Sequence, residues 1–173
     1  MKASKNFTEV KIIKRGNAYI TPLKPNHLSE IILHKKNAEE VLSFGYDGVF
    51  DALKAVYKNS EAYVCRNGSG QIIFISGLWF SRDEDPQMFF IFSKYISENV
   101  FLMAKMGKAL LNMFDICHPT MTMNILAKNK RMAYWAEWLG FSFVGTDNVF
   151  IEFVRCNFNE NNVTDKTLRP ITH

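Results

Sequence analysis

Cys117 and His118 place a thiol beside an imidazole, the residue types of a nucleophile and its base. Adjacent residues rarely present both side chains to one point, and no third orienting group accompanies them, so nucleophilic catalysis by this pair finds no support. The four histidines, His27, His34, His118 and His173, are scattered, and Cys65, Cys117 and Cys156 never approach paired spacing, so no metal site is expected. The chain shows neither a phosphate-gripping P-loop nor a dinucleotide fingerprint. The segment with the most information is Asn129-Lys-Arg-Met132-Ala-Tyr134-Trp135-Ala136-Glu-Trp138-Leu-Gly140-Phe141. In it an asparagine can cap the start of a helix and a glycine can close its end in a left-handed conformation.

Periodicity outlines the elements around that segment. Ala18 to Leu23 reads as a short strand closed by Pro22 and Pro25. From Asn26 to Ser60 the pattern predicts two or three short helices, with an apolar stripe over His27 to Leu33, Asn37 capping a second piece and Asp47 a third. Ala62 to Cys65 and Gln71 to Phe80 are β-rich runs separated by Arg66-Asn67-Gly68-Ser69-Gly70, whose Asn-Gly favours a tight antiparallel turn. Met88 to Phe92 is almost wholly apolar, as a central strand is.

A helix from about Glu98 to Ile116 follows, apolar nearly all round except for Lys105, Lys108, Asn112 and Asp115, which form one polar stripe. His118-Pro119 ends it. Thr120 to Ala127 then alternates Met121, Met123 and Ile125 against Thr120, Thr122 and Asn124, as a strand does. After the helix from Asn129 to Leu139, Phe141 to Val144 and Val149 to Val154 make a last hairpin.

The chain has 173 residues, 47% of them hydrophobic, which suits one domain with a real core, taken as residues 1–155. Fifteen Phe and eight Met make that core aromatic and adaptable. Residues 156–173 are rich in Asn and poor in apolar side chains, and are expected to be a mobile tail. A net charge of +4, from 21 basic and 17 acidic residues spread along the chain, is too mild to suggest nucleic-acid binding. Three widely spaced cysteines fit a reducing compartment, and no apolar run reaches the roughly 18 to 20 residues of a membrane span. A cytoplasmic protein is expected.

The order strand, helices, hairpin, central strand, helix, strand, helix, hairpin, together with Asn129, Met132, Trp135, Gly140 and Phe141, resembles the GNAT superfamily of N-acetyltransferases over roughly residues 18 to 155. The resemblance implies an α/β (mixed α+β) fold: a central, mostly antiparallel mixed sheet, flanked by helices and splayed between its fourth and fifth strands. Acetyl-CoA, or another acyl-CoA, would enter that split between Met88 to Phe92 and Thr120 to Ala127. The family holds the CoA pyrophosphate on a glycine-containing helix start. The text that matches is Leu102-Met-Ala-Lys105-Met106-Gly107-Lys108-Ala109.

Two registers are open. Gly107 is the motif's second glycine, with Lys105 and Leu102 replacing the first glycine and the Arg or Gln, or it is the first, with Ala109 as the second. The resemblance thus makes Phe92, Ser93, Lys94, Lys105, Met106, Gly107, Lys108, Asn129 and Trp135 the candidate cofactor contacts, with no metal. The family tyrosine that protonates the departing thiolate falls on Ala136, and Tyr134 lies about 200° away around the helix.

A base near the split would come from Tyr95, Glu98 or the acidic Asp83, Glu84 and Asp85, with Asn124 able to orient a substrate. Phe89-Phe90-Ile91-Phe92-Ser93 and the terminal Phe150-Ile-Glu-Phe153 are also similar to GNAT-like and internal virion proteins of short-tailed bacteriophages. Two functions follow. One is direct acetyl transfer to an unidentified amine, a host protein among the options. The other is a catalytically degenerate binding or virion protein. A homodimer is compatible with either.

Overall fold

The computed structural model describes residues 13–82 and 84–157. Eight strands form one sheet: β1 (Ile13–Arg15), β2 (Ala18–Pro22), β3 (Ser60–Arg66), β4 (Ile72–Trp79), β5 (Gln87–Phe92), β6 (Thr120–Leu126), β7 (Ser142–Thr146) and β8 (Phe150–Cys156). The helices are α1 (His27–Glu30), α2 (Lys35–Leu42), α3 (Val49–Asn59), α4 (Val100–Asp115) and α5 (Lys130–Trp138), with a short 3-10 helix at Lys94–Glu98. Strand order is β1-β2-β3-β4-β5-β6-β8-β7, antiparallel everywhere except β5 beside β6. The mixed α/β class is as the sequence implied. β1 was not anticipated, because three residues with one half-buried side chain leave no alternation to read.

The splay is real. β6 pairs with β8 along its whole length, from Thr120 opposite Cys156 to Leu126 opposite Phe150. Against β5 it keeps a single registered pair, Gln87 with Thr122, supported by the Thr122 N–H donating to Pro86 C=O at 3.0 Å. From there the two strands part.

Both faces of the sheet are covered, so β4 and β5 are apolar on both sides. Successive residues point to opposite faces. Phe74 and Phe90 join a core with Met106, Leu110 and Phe114 of α4 and Ala136 of α5. Ile75 and Ile91 join a second core with Leu28 of α1, Ile31 just after it, and Leu53 and Val56 of α3. No helix among the described residues is long and apolar enough to cross a membrane.

Several local expectations are corrected. Asn37 is a buried residue inside α2 and not a cap, the N-cap position belonging to His34. Gly48, not Asp47, precedes α3. The β3–β4 turn takes its positive φ at Gly70 (79°), while the Asn67 Oδ1 accepts from the Ser69 and Gln71 amides at 3.1 and 2.9 Å. Asp115 leaves the exposed stripe altogether: it is buried and accepts both Arg155 Nε (2.9 Å) and Nη2 (2.7 Å). Arg155 also donates to Leu139 C=O at 2.9 Å, tying α4, α5 and β8 together. β8 reaches Cys156 and Asn157 N–H donates to Pro119 C=O, so the tail expected from 156 does not begin there; its residues 158–173 lie outside the described residues.

Candidate active site at the sheet split

Alternation along paired strands fixes which backbone groups face the split. Ser93 N–H donates to Ile73 C=O, so the groups facing β4 are those of Gln87, Phe89 and Ile91, and those of Met88, Phe90 and Phe92 face β6. On the other side Ala127 N–H donates to Val149 C=O, which leaves Thr122, Asn124 and Leu126 facing β5. Thr122 is used by Pro86. The remaining groups need partners from elsewhere.

α2 supplies partners at the open end. Phe92 N–H donates to Asn37 Oδ1 at 2.6 Å, and Phe92 C=O accepts the His34 amide at 3.0 Å. On β6, Leu126 N–H makes a long contact to Glu40 Oε1 at 3.5 Å. Glu40 Oε2 accepts Asn129 Nδ2 at 3.2 Å and Asn37 Nδ2 at 3.4 Å. Residues three apart share a helix face, so Asn37 and Glu40 together span the gap between β5 and β6. Beyond the Gln87–Thr122 pair, the inner groups of Phe90 and Asn124 are left facing the split without a partner strand.

Two cavities meet at this bridge. The larger, about 380 Å³, lies toward α4 and α5; the smaller, about 260 Å³, lies toward α2 and α3. Asn37, Glu40 and Met132 border both. Lys36, His34 and Arg131 line the larger, with Val100 and Met103 from the first turn of α4. That helix start has no side-chain cap, because Asn99 donates its Nδ2 to Tyr95 C=O at 2.8 Å instead. Its first amides therefore remain available to an anion. Trp135 also lines this cavity, and its indole Nε1 is buried with no partner among the described residues, a donor awaiting an acceptor.

The predicted contacts divide. Phe92, Asn129 and Trp135 line the larger cavity. Asn129 caps α5, its Oδ1 accepting Met132 N–H at 3.3 Å, and spends its amide on Glu40. Ser93 is buried and accepts from Tyr95 N–H at 3.2 Å, while Lys94 is exposed with its ammonium 5.1 Å from the Tyr95 ring. Met106 and Gly107 are buried inside α4, far from its start. Reading Gly107 as a pyrophosphate-holding helix start is therefore corrected. A Cβ there would meet Trp135 Cζ2 at 3.2 Å and Phe90 Cε1 at 3.5 Å, so the glycine serves close packing of α4 on α5 and β5. Lys105 is exposed, and so is Lys108, whose ammonium lies 5.6 Å from the Trp138 ring; neither lines either of these two cavities.

Asn124, expected to orient a substrate, lines the smaller cavity, but the base candidates Tyr95 and Glu98 line neither. Glu84 and Asp85 are exposed in the loop before β5, and Asp83 lies outside the described residues. Ala136 is fully buried in the core, with no access to either cavity. The sequence reading missed Asn37, Glu40, Lys36 and Arg131. One signal was available: Asn37 sits one helical turn before buried Val41, a polar residue on the apolar face of α2.

Burial pushes the Cys65 thiol up to about 12, which makes it packing and not chemistry. The exposed Cys117 lies beside His118, whose ring packs near Phe80 at 5.7 Å, and the pair lines neither cavity.

No protein-family model matches the chain, and no curated protein matches it in sequence. Solved structures do match in fold. Spermidine N-acetyltransferase from Vibrio cholerae, in complex with CoA and spermine, aligns at TM-score 0.64 and 14% identity over 86% of this chain and 100% of that one. Ribosomal-protein-S5-alanine acetyltransferase from Vibrio fischeri aligns at 0.62 and 11% identity over 87% and 98%. A GNAT-family acetyltransferase from Bacillus anthracis aligns at 0.62 and 14% identity over 85% and 99%. The likeness is one of architecture, and with the β5–β6 split it establishes that this chain has the fold of the GNAT N-acetyltransferases.

Proposed function

We propose that the protein is an acyl-CoA-dependent N-acyltransferase, binding acyl-CoA in the larger cavity and an amine in the smaller. One observation carries this reading: a cation-lined cavity and an apolar one meet at a single carboxylate, Glu40, beside strand amides that lack a strand partner. The Vibrio cholerae neighbour, which holds CoA and spermine together on the same fold, supports it. Lys36, Arg131 and the start of α4 suit a pyrophosphate, and the Trp135 indole N–H suits a carbonyl of the arm that follows it.

The chemistry asked of the residues is modest. Acyl-CoA supplies an acyl thioester. Glu40 takes a proton from the acceptor ammonium, which frees the nitrogen lone pair. The nitrogen then forms the C–N bond to the acyl carbon as the C–S bond breaks, its electron pair leaving with sulfur. The Phe90 N–H, facing the split, is a donor for the negative charge that develops on the acyl oxygen. The second nitrogen proton passes through solvent to the thiolate. A thiolate whose pKa is near 8.5 needs little acid help, so Ala136 is no obstacle. The balance is an amide, a free thiol and one released proton.

Calorimetry with acetyl-CoA tests the reading, because a bound ligand stabilises the fold by RT ln(1 + [L]/Kd). A flat isotherm at millimolar acetyl-CoA overturns it. A second reading, a GNAT-shaped binding protein without turnover such as the phage resemblance implies, draws on the buried Ala136 and on a split already bridged by Asn37 and Glu40.

A further inference from the structure

The smaller cavity is selective by construction. Its walls are aromatic and aliphatic, with Phe44, Tyr46 and Trp79 among them, and among the described residues Glu40 is its only charged group. Asn37, Gln87 and Asn124 are neutral. At about 260 Å³ it falls just below the roughly 300–1,000 Å³ of common ligand clefts. Phe44 stacks on Phe150 with ring centroids 5.0 Å apart, so the end of α2 reaches across to β8.

A ligand for such a space must put one positive charge at Glu40 and apolar surface everywhere else. Each further ammonium would lie against apolar walls with no second carboxylate among the lining residues to meet it. From these features we infer that the acceptor is a primary amine with a single positive charge on a compact apolar, preferably aromatic, body, and not a polyamine of the kind held by the Vibrio cholerae neighbour. This rests on the transferase reading for its chemistry, but the pocket's preference holds for binding alone.

The test therefore measures binding without acyl-CoA. Calorimetry on the full chain compares phenethylamine, phenethyl alcohol and spermidine. Phenethylamine should bind at least tenfold more tightly than the alcohol, which keeps the body and loses the charge, and at least tenfold more tightly than spermidine. Glu40→Gln should remove the advantage over the alcohol, and Val56→Phe, which fills the cavity from α3, should weaken phenethylamine at least tenfold. Folding of each variant is checked by its thermal transition, and the ligand series on the unaltered protein needs no variant at all. Spermidine binding as tightly as phenethylamine, or phenethylamine binding that ignores both substitutions, overturns the inference. A flat acetyl-CoA isotherm with the amine preference intact would sink the transferase reading and leave the pocket assignment standing.

Discussion

The two sides of the split are built by different means. The cavity toward α4 and α5 is lined by an uncapped helix start, an indole N–H without a partner among the described residues and the long cationic side chains of Lys36 and Arg131. On the α2–α3 side the space is a gap in the core, walled by rings and aliphatic chains around one carboxylate. In the proposed reading the first arrangement suits a charged, long and flexible ligand, and the second suits a compact one with a single charge. Glu40 borders both, so substitutions on either side of it address one cavity at a time.

The largest effect should come from reversing the cationic rim. Lys36→Glu with Arg131→Glu places two negative charges where a pyrophosphate would lie. Acetyl-CoA affinity should fall about a hundredfold, each factor of ten being about 1.4 kcal/mol, with phenethylamine binding unchanged. Calorimetry with each ligand reads both halves, and equal losses would show that the cavities are not independent.

Next in size is Glu40→Gln. Removing the proton acceptor while keeping one oxygen for the Leu126 N–H contact should lower kcat/KM for amine acylation on the order of a hundredfold and leave acetyl-CoA affinity within a few-fold. Thiol release against amine concentration measures the first, calorimetry the second. A matching loss of acetyl-CoA affinity would make Glu40 a structural bridge only.

A smaller effect distinguishes packing from binding on the α4 side. Gly107→Ala gains about 1 kcal/mol of helix propensity but sets a methyl 3.2 Å from Trp135. The two oppose each other, so stability should change by less than about 1 kcal/mol and acetyl-CoA affinity by less than about threefold. A large loss of affinity without unfolding would restore Gly107 to the phosphate site.

These contrasts track what the chain reveals before it is folded. The α5 segment was readable because its signals are local: Asn129 caps a helix three residues on, and Gly140 at φ 89° closes it with Gly140 N–H to Glu137 C=O and Phe141 N–H to Ala136 C=O. The order of elements followed from period and punctuation in the same way, and the split was implied by the resemblance which that order carried. The bridge was not readable. Asn37 meets Phe92 from 55 residues away, and Glu40 meets Leu126 and Asn129 from 86 and 89. In the sequence both look like ordinary polar residues of a short surface helix. Gly107 failed for the opposite reason: a local pattern suggested a loop, and the approach of Trp135, settled only in three dimensions, gave the glycine another purpose.

Acid provides the mildest way to separate the two sides, through His27. It is buried in α1, and its Nδ1 accepts the Lys24 amide at 3.1 Å, which requires the neutral ring. Burial lowers its pKa first, and the nearby Arg66 and Lys24 charges lower it further against an opposing Glu30. The unfolded chain therefore binds the proton more readily, near the ordinary 6.5, so stability rises with pH across this range and is lost as pH falls below that value. The Arg66–Glu30 ion pair titrates in a separate window, since Arg66 holds the Glu30 carboxyl below its ordinary value. Between about pH 7.5 and 5.5 the thermal midpoint should fall more for the unaltered protein than for His27→Gln, whose amide oxygen can accept the same hydrogen bond without a charge. Hydrogen exchange over that range should quicken in α1, the helix that carries His27, before α4 and α5 on the other face of the sheet. Exchange that quickens equally on both faces of the sheet would show that the two sides of the split open together.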